Sequence, residues 1–197
     1  LLAAGQGTRM KSDLPKVLHP ILGQPMIWHA LEAVKQASSE TPIVVVGHGA
    51  QAVTKYLGDS ARTVVQEPQL GTAHAVMQVV PLVRGTLRQA QDNASDLVLV
   101  CYADMPLLRG ETLKRLVEKQ TKNPGPFSML TLFNDDSRGF GRIIRAANGT
   151  VQAIVEEVVA TLEQLAIREL NAGVYCFNGE WLWDALSRIE KNPHKGE

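Results

Sequence analysis

Short apolar runs alternate with amphipathic stretches along the first half of the chain. Ile43 to Val46 is a β-branched block closed by Gly47-His48-Gly49, and Arg62 to Gln66 and Leu97 to Tyr102 are similar blocks followed by loop residues. Runs of this length bounded by turn residues predict buried strands. Between them Met26, Ile27, Ala30, Leu31 and Val34 recur at helical spacing, followed by Ala73 to Val80 and by Leu113, Leu116 and Val117. Strands alternating with helices predict an α/β fold, a parallel sheet covered on both faces. Ligands of such sheets collect at the carboxyl ends of the strands, here the loops after Ala4, Gln66 and Tyr102. The second half differs. Ser128 to Phe133, Arg142 to Arg145, Val151 to Glu157 and Gly173 to Phe177 read as mixed or antiparallel strands extending the sheet, with a last helix from Glu180 to Ile189.

Length and composition narrow the class. At 197 residues the chain makes roughly one domain, and with no repeat, low-complexity tract or linker it reads as a single domain over 1–197. Both ends read as cut, because an apolar stretch, Leu1-Leu2-Ala3-Ala4, opens directly into a glycine loop and a turn closes the chain. Twenty basic residues balance twenty acidic ones, which argues against a nucleic-acid binder. The two cysteines, Cys101 and Cys176, sit in apolar runs and read as buried free thiols. The longest apolar run, Leu97 to Ala103, has seven residues, too few for a membrane span. With no signal segment at its start, the chain is expected to be soluble and cytoplasmic.

Chemistry concentrates in a few loops. Gly5-Gln6-Gly7-Thr8-Arg9-Met10 follows the first strand. Two close glycines let backbone amides turn toward an anion, although a plain tight turn has the same composition. The loop fits neither the P-loop nor the dinucleotide fingerprint, since Met10 stands where a third glycine belongs. Arg9 and Lys16, with Pro15 stiffening the approach, would suit a polyphosphate; the alternative is a solvated pair of surface cations. Gln66 ends a strand, and its carboxamide can both donate to and accept from a base edge. Gly71 and Thr72 open the next helix, where Thr72 also reads as a simple N-cap. His74 reads as helix packing. Asp104 lies just beyond the most apolar strand, as a hard-cation ligand would or as a cap of the following turn.

Leu2-Ala3-Ala4-Gly5-Gln6-Gly7-Thr8-Arg9-Met10, continued by Leu14-Pro15-Lys16-Val17-Leu18, resembles the opening signature of sugar-nucleotide pyrophosphorylases. The wording is similar to the uridylyltransferase domain of the bifunctional bacterial enzymes that make UDP-N-acetylglucosamine. Further motifs carry the likeness along the whole chain: Gln66 to His74, Tyr102-Ala103-Asp104-Met105-Pro106-Leu107, Gly139 to Ile143, Ile154 to Glu157 and Glu169 to Tyr175. The resemblance implies a Rossmann-like, GT-A-like three-layer nucleotidyltransferase fold, a mostly parallel mixed sheet with helices on both faces. It implies nucleotide contacts from Leu2, Ala3, Ala4, Gly5, Gly7, Thr8 and Lys16, uracil recognition by Gln66 and Gly71, and Thr72 near the sugar. Tyr102 and Ala103 would bind substrate together with Asp104, which is also the Mg²⁺ ligand, while Gly141, Glu156 and Asn171 would hold the sugar. Arg9, Lys16 and Asp104 carry the catalysis on this reading.

Two departures stand out. Ala103 replaces a family glycine, and its methyl is expected to crowd the ligand; Val158-Val159 replace a Lys-Asp pair that often follows the glutamates. A second magnesium ligand, an asparagine, would follow the motif that Gly196-Glu197 resembles the start of. The implied reaction joins UTP and N-acetylglucosamine 1-phosphate into UDP-N-acetylglucosamine and pyrophosphate. The parent protein would also carry an acetyltransferase β-helix domain and form a homotrimer through it. The alternatives are another nucleotidyltransferase, for thymidylyl or cytidylyl transfer, and a non-catalytic domain that only binds nucleotide sugars.

Overall fold

Val44 and Val46 point to one side of their strand, among Ile27, Leu31, Val53 and Leu57, while Val45 points to the other, among Ala75, Leu182 and Leu186. That two-residue alternation, apolar on both sides, is what a strand sandwiched between two helical layers requires. The computed structural model describes residues 1–7, 10–87 and 96–190. In chain order they form β1 (Leu2–Ala3), β2 (Pro20–Ile21), β3 (Gln24–Pro25), α1 (Met26–Ala37), β4 (Ile43–Val46), α2 (Ala50–Leu57), β5 (Arg62–Val65), α3 (Gly71–Met77) and α4 (Val80–Leu87). There follow β6 (Leu97–Val100), α5 (Gly110–Thr121), β7 (Phe127–Phe133), β8 (Arg142–Arg145), β9 (Val151–Val155), α6 (Leu162–Leu165), β10 (Glu169–Asn178) and α7 (Gly179–Ser187).

β1, β4 and β5 pair in parallel, in the order β1-β4-β5. On its other edge β1 meets the continuation of β6: the Leu2 amide donates to the Cys101 carbonyl (2.9 Å) and the Ala103 amide to the Leu2 carbonyl (3.0 Å), again in parallel. Beyond β6 the sheet turns antiparallel through β10, which pairs with β6, β7 and β8, and β8 pairs with β9. α1, α2 and α5 cover one face and α3, α4 and α7 the other.

Three elements differ from the sequence pattern. The apolar stretch Ala73 to Val80 is not one helix: α3 stops at Met77 and α4 restarts at Val80, because Pro81 has no amide hydrogen and is accommodated only in a first turn. The final strand begins at Glu169 rather than Gly173, with a register shift between Asn171 and Val174. β9 ends at Val155, and Glu157–Val159 form a separate 3₁₀ turn. The pattern also missed α2, whose buried Val53 and Leu57 are four apart on one helical face.

Candidate active site

The carboxyl ends of β1, β5 and β6 converge. Of the residues expected to bind substrate, Leu2, Ala3, Ala4, Gly5, Gly7, Lys16, Gln66, Gly71, Thr72, Tyr102 and Asp104 line one open cavity of about 810 Å³. Thr8 and Arg9 lie outside the described residues. The Met10 amide donates to the Gly7 carbonyl (2.8 Å).

Two glycines hold Lys16 in place. Gly7 has φ +62°, and a Cβ there would stand 2.7 Å from the Lys16 Cβ. Gly49, at φ +67°, lies so close to the Pro15 ring that a side chain there would overlap it. Both positions therefore need glycine for conformation and for space. Held this way, Lys16 Nζ donates to Asp104 Oδ2 at 2.5 Å, with both side chains 31% exposed. Asp104 therefore pairs with a cation across the cleft; it does not serve as a turn cap.

Gln66 is 4% exposed. Its Nε2 donates to the Gly71 carbonyl (2.9 Å) and lies 3.1 Å from His74 Nδ1. Thr72 is not the N-cap of α3; that position is Leu70. The Thr72 hydroxyl instead bonds the Tyr102 hydroxyl at 3.1 Å. On the far side of the Tyr102 ring lies Gly173, where a Cβ would come within 2.6 Å of Cε2.

Gly141, Glu156 and Asn171 do not line that cavity but gather beside one another. The Asn171 amide donates to the Gly141 carbonyl (2.8 Å), and a Cβ on Gly141 would lie 3.3 Å from Glu156 Oε1 and 3.7 Å from the Asn171 Cβ. The Asn171 side chain accepts from the Gly173 amide (2.9 Å) and bonds the Tyr175 hydroxyl. Through Gly173 and Tyr102 this group abuts the cavity. Ala103 is fully buried, its methyl packed with Ala3, Val17 and Ile27. It fills core, so it neither lines the cleft as a substrate-binding residue nor crowds it.

Two residues escaped the sequence reading. Arg142 is 2% exposed; its guanidinium donates to the Phe140 carbonyl, to Ser137 Oγ (2.9 Å) and to Glu157 Oε1 (3.4 Å). Glu157 Oε2 accepts from the Gly139 amide at 2.5 Å. Together they pin the loop that presents Gly141. The only hint in sequence is an arginine opening an apolar strand, Arg142-Ile143-Ile144.

Cys101 and Cys176 are free and buried, and burial pushes the Cys176 thiol up to about 11, which leaves it protonated and unreactive. Among the described residues no three His, Cys, Asp or Glu side chains group to hold a metal, and no helix is long and apolar enough to cross a membrane. A metal in this cleft would have Asp104 as its protein carboxylate.

The bifunctional protein GlmU of Bacillus subtilis (strain 168) is 42% identical over 197 residues, and that of Heliobacterium modesticaldum (strain ATCC 51547 / Ice1) 46%; each alignment covers 100% of this chain and 41% of the relative. The chain thus spans about two fifths of the length of these relatives. Among solved structures, a UDP-glucose pyrophosphorylase complexed with UDP-glucose superposes with a TM-score of 0.72 at 18% identity, covering 98% of this chain and 80% of that one. That likeness establishes a GT-A-like α/β nucleotidyltransferase fold. Residues 1–165 match the MobA-like NTP transferase domain, and the chain belongs to that family.

Proposed function

We propose that this chain transfers the uridylyl group of UTP to N-acetylglucosamine 1-phosphate, forming UDP-N-acetylglucosamine and releasing pyrophosphate. The observation that carries the proposal is the Lys16–Asp104 pair, 2.5 Å apart, in the same cavity as the Gly5–Gly7 loop and the buried Gln66. A cleft with a glycine loop, a cation and an acid at one end and an amide at the other suits a nucleoside triphosphate. The identity to the two GlmU proteins along the whole chain supports the choice of substrates.

The chemistry needs no protein nucleophile. The sugar phosphate is ionised at neutral pH; one of its oxygens attacks the α-phosphorus, and the bond to the bridging oxygen breaks to release pyrophosphate. The protein supplies position and charge. Lys16 neutralises the reacting phosphates, and Arg9 with the amides of Gly5, Gly7 and Thr8 takes up the charge of the leaving pyrophosphate. Leu2, Ala3 and Ala4 floor the cavity. Gln66 and Gly71 read the base, Thr72 and Tyr102 stand at the ribose and sugar, and Gly141, Glu156 and Asn171 bind the sugar hydroxyl and acetamido groups.

The donor set fits Mg²⁺, which takes one or two carboxylates and completes its shell with water and substrate phosphates. Asp104 is the carboxylate, which the ion would share with the Lys16 ammonium. When bound there, the ion would offset charge on the nucleotide and sugar phosphates. The same reading makes the chain one nucleotidyltransferase domain of a longer cytoplasmic protein that also acetylates glucosamine 1-phosphate and assembles as a trimer.

The test is pyrophosphate release from UTP, CTP, dTTP and GTP with N-acetylglucosamine 1-phosphate and Mg²⁺, on this chain and on a form extended at both ends. Release that depends on UTP, on the sugar phosphate and on the divalent ion is expected. Binding of UDP-N-acetylglucosamine with no turnover by the extended form would overturn the proposal in favour of a binding domain.

A further inference from the structure

We infer that His74 is a positioning residue that fixes which end of the Gln66 carboxamide faces the nucleobase, so that the site accepts an imide N–H and rejects a ring-nitrogen lone pair. The inference rests on the nucleotidyl-transfer reading above and adds to it a determinant of base choice outside the cavity wall.

The amide of Gln66 has two hydrogens. One is taken by the Gly71 carbonyl at 2.9 Å. A carbonyl only accepts, so the nitrogen and not the oxygen of Gln66 lies there. The second is directed at His74 Nδ1, 3.1 Å away. With both hydrogens committed inward, Oε1 is left. It accepts from none of the described residues and is not sealed from solvent. Since Gln66 is otherwise buried and borders the cavity, Oε1 opens on the cleft.

His74 itself does not line the cavity. A neutral imidazole accepts through one nitrogen only, and two amides approach this ring: Gln66 at Nδ1 and Gln78, whose Nε2 is 3.1 Å from His74 Nε2. The Gln78 amide also has the His74 carbonyl at 3.0 Å. The second Gln66 hydrogen has no other acceptor among the described residues, and leaving a buried donor unpaired is the costlier choice. Nδ1 is therefore the accepting nitrogen.

An outward oxygen acceptor complements the N3–H of uracil or thymine. Cytosine presents a lone pair at that position and is repelled. Turning the carboxamide over would reverse the preference, but it would also set Oε1 against the Gly71 carbonyl and forfeit the His74 contact.

Calorimetric affinities for UTP and CTP, each with Mg²⁺, test this on the wild-type chain, His74→Ala and His74→Asn, with folding followed by circular dichroism. The wild type is expected to favour UTP. His74→Ala should narrow the UTP-to-CTP ratio by roughly 10-fold, and His74→Asn, whose carbonyl oxygen stands near the Nδ1 position, should restore most of it. If the alanine variant does not fold, His74→Gln replaces it, since its longer amide reaches the Nε2 side and should fail to restore the ratio. Equal loss of both affinities with the ratio intact would mean that His74 merely packs, and would overturn the inference alone. A wild type that binds no nucleoside triphosphate would overturn the proposed function, and this inference with it.

Discussion

Lys16 and Asp104 are 88 positions apart and meet at 2.5 Å, so each depends on how the other is held. Removing the ammonium by Lys16→Ala should lower uridylyl transfer about 10²–10³-fold, the usual effect of losing one preorganised charge donor, while the melting temperature stays close to wild type because the pair is part-exposed. Arg9→Ala should fall in the same range on the same assay. Gly173→Ala should act through structure: at φ +73° and 2.6 Å from the Tyr102 ring, an added methyl costs about 1–3 kcal/mol. It should lower both the melting temperature and the affinity for UTP. As residue types, Lys16, Gln66 and Asp104 were legible in the sequence, since each follows a recognisable strand or loop. Their partners were not, because the contacts Lys16–Asp104, Gln66–His74 and Tyr102–Gly173 depend on packing. Arg142 was illegible for the same reason: a charged residue at a strand start reads as solvent-facing until its burial is known.

At the scale of elements, β-branched runs were the clearest signal. β4 and β8 fall on the residues the pattern predicts, because β-branched valine and isoleucine favour a pleated strand. Boundaries drifted where local chemistry overrode periodicity, at Pro81 and at the bulge of β10. The tie between β8 and β10 carries a prediction. Arg145 grips Glu169 with two hydrogen bonds, Nε to Oε2 at 2.7 Å and Nη2 to Oε1 at 2.6 Å, and these hold the carboxyl below the usual glutamate range. A carboxylate lowered in this way stabilises the fold above its unfolded value, near pH ~4.3, and loses that contribution as the pH falls through the folded value. Glu169→Gln should therefore melt below wild type at neutral pH, and the gap should close on acidification, as thermal melts across that range would show.

At the scale of the whole molecule, α/β class and an antiparallel extension could be read from the order of runs and turns, whereas strand order could not, because nothing local says which edges meet. The outcome puts β1 at the centre of the sheet. The Val45 amide donates to the Leu1 carbonyl (2.8 Å), and the Leu2 and Ala103 amides close the other side. These three amides should be among the slowest to exchange with deuterium, opening only with global unfolding, while amides of the exposed Asn134–Asp136 turn should exchange early. The placement of β1 also bears on how the chain reaches its shape. Its two neighbours lie about 40 and about 100 positions further along, and such distant pairings raise the contact order and slow folding. During synthesis this strand waits, with one edge unpaired, until residues 101–103 have left the ribosome. Until then the waiting strand is a natural client for a chaperone.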